Sequence, residues 1–332
     1  MAATGDSSAE PVAHPPWFPH ALVDRACEPA TFADGLPSPW GRIHGWDHTR
    51  ALSPEWWNEE HEGRWGAWPE AITSVEAVSE GRFGLTVHLN GDWVAHLYPF
   101  QTGLDVSTLT LFEPWANALA SAPILLPVAG QKNEHGDQVA VFEMHSCLSS
   151  DEVGRGPHDL VRAAAGVHAA LVAHATPNTE RRWNERLKSI EDQLKTTTLW
   201  RAPHTRHVVG LPATHFSLDG VVAVDDELML VPRPRPLVDH LLAPSERLPG
   251  VSSIAMFEQR LSLLEGFDSP ESREGFYRAW GEGVPPSWTS RASLSTANGG
   301  VWIWRYEAML LMLAEARAYG LTERATACDR WV

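Results

Sequence analysis

From residue 72 to residue 98, apolar and polar positions alternate with a period of two. Residues 72–78, 82–89 and 93–98 read as three strands, separated by Ser79-Glu80-Gly81 and Asn90-Gly91-Asp92. Asn-Gly between two β-rich runs is a hairpin signal, because both residues accept the positive φ that a tight turn requires. Residues 113–122 read as a short helix, with Pro114 tolerated in its first turn. Residues 124–128 and 138–144 follow as strands, joined by the polar turn Asn133-Glu134-His135-Gly136-Asp137. The period then changes to helical. Leu160, Ala164, Val167 and Leu171 share one face of residues 157–175. Trp183, Leu187, Ile190 and Leu194 share a face of 179–195, with Asn178 or Thr179 as N-cap. Ile254, Phe257, Leu261 and Leu264 do so in 253–264. Tyr306, Met309, Leu310 and Leu313 do so in 302–319, where Gly320 stops the helix. Between the helices lies a further hairpin, with Asp225-Asp226 at its tip and residues 228–231 as its second strand. Three strands, a helix, two strands and then a mainly helical half predict an α+β chain. Its first lobe, residues 71–145, is a five-stranded antiparallel sheet, and its second, residues 146–332, is helical.

Residues 1–70 obey neither period. They are rich in proline and carry seven of the 16 tryptophans: Trp17, Trp40, Trp46, Trp56, Trp57, Trp65 and Trp68. An indole ring buries a large area while keeping one N–H that needs an acceptor. The segment is therefore expected to be an irregular extension stapled to the body by its rings. The other reading is an aromatic-lined cleft for a ligand or peptide.

The chain has 332 residues, 43% of them hydrophobic and 20% charged, enough to bury a large core. Its net charge of −16 is expected to repel nucleic acid and anionic membrane surfaces. Residues 1–16 lack an apolar signal core, and no uncharged run is long enough to cross a bilayer, so a cytoplasmic protein is expected. Cys27, Cys147 and Cys328 are too far apart to suggest a disulfide framework or a cysteine zinc site. The closest histidine clusters, His44 with His48 and His204 with His207, match no metal-site spacing of known mechanics, so no metal is expected. No P-loop, G-x-G-x-x-G or G-x-S-x-G is present.

The segment His215-Phe216-Ser217-Leu218-Asp219-Gly220-Val221-Val222, with the hairpin after it, resembles the catalytic segment of the aminoglycoside phosphotransferase and choline kinase family. The family pattern is H-G-D-x-x-x-x-N followed by a hairpin ending in I-D-[W/F]. The resemblance extends to Val94-Ala95-His96-Leu97-Tyr98, like the strand carrying the phosphate-binding lysine. It also covers Ala140-Val141-Phe142-Glu143-Met144, like the strand entering the interlobe hinge, and Val167-His168, like the Leu-His of the first long C-lobe helix. It implies a two-lobed, protein-kinase-like fold over roughly residues 72–320.

The resemblance also implies that the chemistry is lost. Phosphoryl transfer needs a lysine on the phosphates, oxygen ligands for Mg²⁺ and a carboxylate facing the attacking hydroxyl. His96 stands at the lysine position, Ser217 at the catalytic aspartate, Val222 (or Val221) at the asparagine, and Pro232 at the metal-binding aspartate. Ser79-Glu80-Gly81-Arg82 occupies the place of the phosphate-covering turn and holds a single glycine. Glu113 is a candidate for the helix acid that pairs with the lysine; otherwise it is a first-turn acid suited to the helix dipole. Asp219 is the fallback base and otherwise a turn residue. Asp225, beside Asp226, is a second fallback carboxylate and otherwise a solvated hairpin acid. Asp239 resembles a structural C-lobe aspartate. Arg233 and Arg235 bring positive charge where a metal would need carboxylates. They suit a phosphate or carboxylate without metal, or simply balance an acidic surface.

The expected function is that of a pseudokinase, a binding or scaffolding module with no catalytic residues and no cofactor. Its interlobe cleft would take a peptide, a partner protein or a small molecule, through His96, Glu113, Met144, His215, Ser217, Asp219, Arg233 and Arg235. The resemblance implies a place in bacterial, specifically actinobacterial, natural-product biosynthesis. Two alternatives stand beside it. One is an active phosphotransferase that uses ATP and Mg²⁺ on an alcohol group, with Asp219 or Asp225 relocated into the catalytic role. The other is sequestration of a cationic antibiotic without modifying it.

Overall fold

A computed structural model describes residues 15–19, 32–38, 41–81, 84–101, 115–144, 156–177, 180–194, 209–212, 221–224, 227–231, 237–242, 247–265, 269–289 and 301–331. The N-terminal part runs through β1 (Leu36–Ser38), β2 (Gly41–Gly45), a 3-10 turn (His48–Leu52), α1 (Pro54–Asn58) and β3 (Arg64–Gly66). Then come β4 (Val75–Gly81), β5 (Gly84–Leu89), β6 (Trp93–Leu97), β7 (Phe100–Gln101), α2 (Ala116–Leu119), β8 (Ala129–Asn133) and β9 (Gly136–Glu143). The sheet order is β3-β8-β9-β6-β5-β4, with every neighbour antiparallel. Four of the five expected strands are present as β4, β5, β6 and β9; β8 replaces the expected strand at 124–128, and a sixth strand, β3, supplied by the tryptophan-rich segment, joins at one edge.

Two asparagines move the expected start of β4 from residue 72 to Val75. Asn90 takes positive φ (52°) in the turn, as does Gly91 (81°). The Asn90 carboxamide oxygen accepts the backbone N–H groups of Thr73 and Ser74 (2.8 and 3.1 Å), and its amide donates to the Ala71 carbonyl (3.1 Å). Asn58 brackets Ile72 in the same way, accepting its N–H (2.9 Å) and donating to its carbonyl (2.7 Å). Side chains, not a strand ladder, satisfy that backbone. The apolar run at 124–128 is likewise not a strand. Ile124 forms one isolated parallel bridge with Leu230, and the ladder begins only at Ala129.

The C-terminal part contains α3 (Pro157–Ala170), a 3-10 turn (Val172–His174), β10 (Thr176–Pro177), α4 (Glu180–Leu194), β11 (Val209–Pro212), β12 (Val221–Val224) and β13 (Glu227–Leu230). It continues through α5 (Leu237–Leu242), β14 (Arg247–Pro249), α6 (Gly250–Glu265), α7 (Pro270–Gly283), α8 (Trp302–Ala318) and α9 (Thr322–Trp331). Helix α8 is buried on nearly every side from Ile303 to Ala316, as a central core helix must be. Gly320, with φ of 65°, lies just beyond it. Helices α5, α7 and α9 go beyond the sequence-based expectations. Helix α7 begins with a cap that is present in the sequence: the Ser269 hydroxyl accepts the Ser272 N–H at 3.1 Å and Pro270 follows it.

In the six-stranded sheet the central strands β6 and β9 are buried on both faces. Its outer face, with Leu85, Val87, Leu89, Ala95, Leu97, Ala129, Val139 and Val141, is covered by Trp17, Phe18, Phe32, Ile43, Trp56 and Trp57. Trp56 and Trp57 are 4% and 1% exposed, so these rings are core and not the wall of a cleft. The indole N–H groups of Trp46, Trp57 and Trp68 donate to the carbonyls of Tyr98, Ala51 and Trp57 at 2.8, 2.8 and 3.0 Å. Arg64 closes the irregular turn after α1. Its guanidinium donates to the carbonyls of Trp56, Trp57 and Glu59 and lies 3.9 Å over the Trp68 ring. Burial pulls its pKa down to about 10.

Removing an indole from this cluster leaves a cavity. We expect Trp57→Ala to lower the unfolding free energy by about 3–5 kcal/mol in urea titrations. Val78→Thr, at a site 48% exposed on the edge strand, is expected to change it by less than about 0.5 kcal/mol.

Candidate functional site

The inner face of the sheet meets the C-terminal lobe at the hairpin β12–β13. Strand alternation decides which side chains meet. On β6 and the residue after it, Val94, His96 and Tyr98 point inward while Ala95 and Leu97 join the outer cluster. On β9, Ala140 and Phe142 are inward and Val139 and Val141 outward. The hairpin is equally two-sided. Val222 and Val231, with Val224 and Met229 beside them, pack up against Tyr98, Ala140 and Phe142, while Val221 and Leu230 pack down into the helical core. Tyr98, Ala140, Phe142, Val222 and Val231 are between 0% and 6% exposed. Burial of each valine or phenylalanine is worth about 1.5–3 kcal/mol, so this seam contributes substantially to joining the lobes.

His96 sits in this layer, 6% exposed and paired across the sheet with Thr86 and Ala140. The Thr86 hydroxyl and His96 Nδ1 lie 3.0 Å apart, and the Phe142 ring meets the imidazole edge-on at 5.4 Å. An imidazole held within the sheet in this way has neither the reach nor the fixed charge of a lysine ammonium. Whichever of Val221 and Val222 corresponds to the family asparagine, the side chain there is buried hydrocarbon. Met144 follows β9, half-buried, and its N–H donates to the Asp92 carbonyl at 2.9 Å. The structure thus brings His96 and Val222 to one seam, with Met144 beyond the end of β9. The other candidates, Glu113, His215, Ser217, Asp219, Asp225, Pro232, Arg233 and Arg235, lie outside the described residues. So does the phosphate-covering turn beyond Gly81.

Beneath the hairpin, α3 carries His168. It is fully buried, and its Nδ1 accepts the Trp280 indole N–H at 3.0 Å. Burial drives its pKa down to about 3, so the ring is a neutral acceptor. Gly250 opens α6 against the same ring, where an added Cβ would lie 3.0 Å from Nδ1. His168 therefore joins α3, α6 and α7. Asp239, 2% exposed on α5, borders a cavity of about 30 Å³ with Ser253, Trp304 and the Arg186–Glu307 ion pair (2.5 Å).

Sequence periodicity gave no hint of a buried charge cluster between α6, α7 and α8. Glu258, fully buried, lies 3.0 Å from the Arg273 guanidinium and 3.2 Å from that of Arg305, and accepts the Tyr277 hydroxyl at 3.2 Å. Burial pushes its carboxyl up to about 7, against the pull of Arg273. Arg260 and Glu315 form a second buried pair at 3.2 Å. A sequence signal was the charge of Glu258, Arg260, Arg305 and Glu315 inside the otherwise largely apolar α6 and α8. Among the described residues, no group of three or more His, Cys, Asp or Glu is placed to hold a metal ion. Nor is any helix there long and apolar enough to cross a membrane.

No protein-family profile matches the chain, and no curated protein matches it in sequence. Solved structures do match. A GDP complex of an aminoglycoside 2'-phosphotransferase variant is 14% identical, with a TM-score of 0.51 over 79% of this chain and 90% of that one. A glucosamine kinase is 13% identical, with a TM-score of 0.46, covering 87% of this chain and 81% of that one. The first likeness shows the fold. The chain has the two-lobed, kinase-like α+β fold seen in an aminoglycoside phosphotransferase, as the motif resemblance implied.

The neutral His168 has a consequence for acid stability. A base whose pKa falls from 6.5 to about 3 on folding contributes stability that is fully present above about pH 6.5 and is lost as pH falls toward 3. His168→Asn keeps an acceptor for the Trp280 indole but cannot protonate. Its unfolding free energy is expected to decline less steeply than that of the wild type between pH 6.5 and 4, measured by urea titration across pH.

Proposed function

We propose that the protein is a catalytically degenerate kinase-like module, a pseudokinase. It would bind a peptide, a partner protein or a small molecule in the cytoplasm, in the setting of bacterial natural-product biosynthesis, and would not phosphorylate it. One observation carries this reading. At the two degenerate positions the described structure includes, the seam between the lobes holds an imidazole tied to Thr86 and a buried valine. Phosphoryl transfer is almost wholly positioning and charge neutralisation, and neither group neutralises phosphate charge or ligates Mg²⁺. The Met144 N–H, a backbone donor at the exit of β9, is already engaged by Asp92. Ser217 and Pro232, at the remaining catalytic positions, offer no carboxylate, and Arg233 and Arg235 add positive charge beside them. ATP and Mg²⁺ are accordingly not cofactors in this reading. The net charge of −16 supports a partner other than nucleic acid.

Isothermal titration and thermal-shift measurements with ATP, with and without Mg²⁺ or Mn²⁺, test the reading. We expect neither binding heat nor a metal-dependent shift in melting temperature. Metal-dependent binding at micromolar affinity, with ATP consumed in the presence of a hydroxyl acceptor and turnover lost in Asp219→Ala or Asp225→Ala, would establish the active phosphotransferase instead.

A further inference from the structure

We propose that the two lobes are locked in one closed arrangement, with the sheet pinned to the C-terminal lobe through both of its faces. The inner face is pinned by the seam itself. Tyr98, Ala140 and Phe142 form one packed cluster with Val222 and Val231, and all five are buried. A planar base entering there would have to part hydrocarbon layers already in contact. The connection before β8 adds backbone hydrogen bonds across the same boundary. The Leu125 N–H donates to the Leu230 carbonyl (2.7 Å), and the Leu230 N–H to the Pro123 carbonyl (2.9 Å).

The outer face is pinned through the N-terminal segment. Trp17, Phe18, Phe32 and Ile43 share one cluster with Leu97 and Val141 of the sheet. The same cluster includes Leu241, 8% exposed, and the partly buried Leu237, both from α5 in the C-terminal lobe. Strand β2 is the strap between them. It pairs with β7 through His44–Gln101 and Gly45–Phe100, and the Gln101 amide donates to the carbonyls of Gly136 and Asp137 at the β8–β9 turn (2.7 and 3.1 Å). At its other end Gly41 lies so close to α5 that an added Cβ would fall 2.9 Å from Leu241 Cδ2. Swinging the lobes apart about the hinge would strip apolar surface from both faces at once, which opposes sub-global opening. The proposal deepens the binding-module reading, because a cleft that takes no nucleotide has no need of nucleotide-driven closure.

Hydrogen exchange read by mass spectrometry on the full chain tests the lock at residues 136–143, 221–224 and 227–230. In the wild type these amides should exchange only with global unfolding, at rates unchanged by ATP with Mg²⁺. Leu241→Ala, which cuts the strap, should speed their exchange by about tenfold or more, while the interior of α8 stays protected. The partly buried Leu237→Ala serves as the milder variant should Leu241→Ala fold poorly, and should shift exchange in the same direction. Sub-global opening of the seam in the wild type, or seam exchange indifferent to both substitutions, overturns the lock whether or not nucleotide binds. Protected, strap-dependent seam amides support it even if titration finds a nucleotide, a result that would overturn only the reading of function above.

Discussion

A β-sheet whose central strands are buried on both sides needs a cover on each, and the architecture follows from that constraint. Antiparallel sheets commonly bury one face and solvate the other. In β6 the run from Val94 to Leu97 is buried throughout, and β9 is buried from Asp137 to Phe142. Each face therefore requires its own cover. The outer one is met by the indoles of Trp17, Trp56 and Trp57, the inner one by the hairpin that carries Val222 and Val231. The hairpin in turn has two apolar sides, so the layering continues into the helical lobe through Val221 and Leu230 without a polar break.

Much of the sheet was legible in the chain. The period-two runs located four strands, and Asn90-Gly91 located the turn between β5 and β6. Strand boundaries were not legible, because they depend on partners distant in sequence. Asn58 and Asn90 satisfy the backbone of residues 71–74, a role that nothing local in the pattern announces. Residues 124–128 read as a strand because they are apolar, yet Ile124 and Leu125 meet Leu230, a hundred positions away, while Val128 bonds to Val141 and Ala67. The sixth strand, Arg64–Gly66, is too short to show a period. Of the site, the substitutions at His96 and Val222 could be read by comparison with a motif. That both meet Phe142, His96 edge-on and Val222 within one buried cluster, could not, since it requires knowing which face of each strand meets which.

The helical lobe is held by a different kind of bond. Glu258, Arg273, Arg305 and Tyr277 put charge and hydroxyl groups where packing alone would have placed leucines. Removing one member of such a cluster strands its partner in a low-dielectric interior, so these positions are coupled and their substitutions will not add simply. His168 obeys the opposite logic. It is held uncharged, accepting one indole N–H, and takes no part in a charge pair with Trp280.

Position 222 also limits what the seam can host. An asparagine there would bury an amide among Phe142, Tyr98 and Val231, in a mostly hydrocarbon setting where each unmade hydrogen bond costs stability.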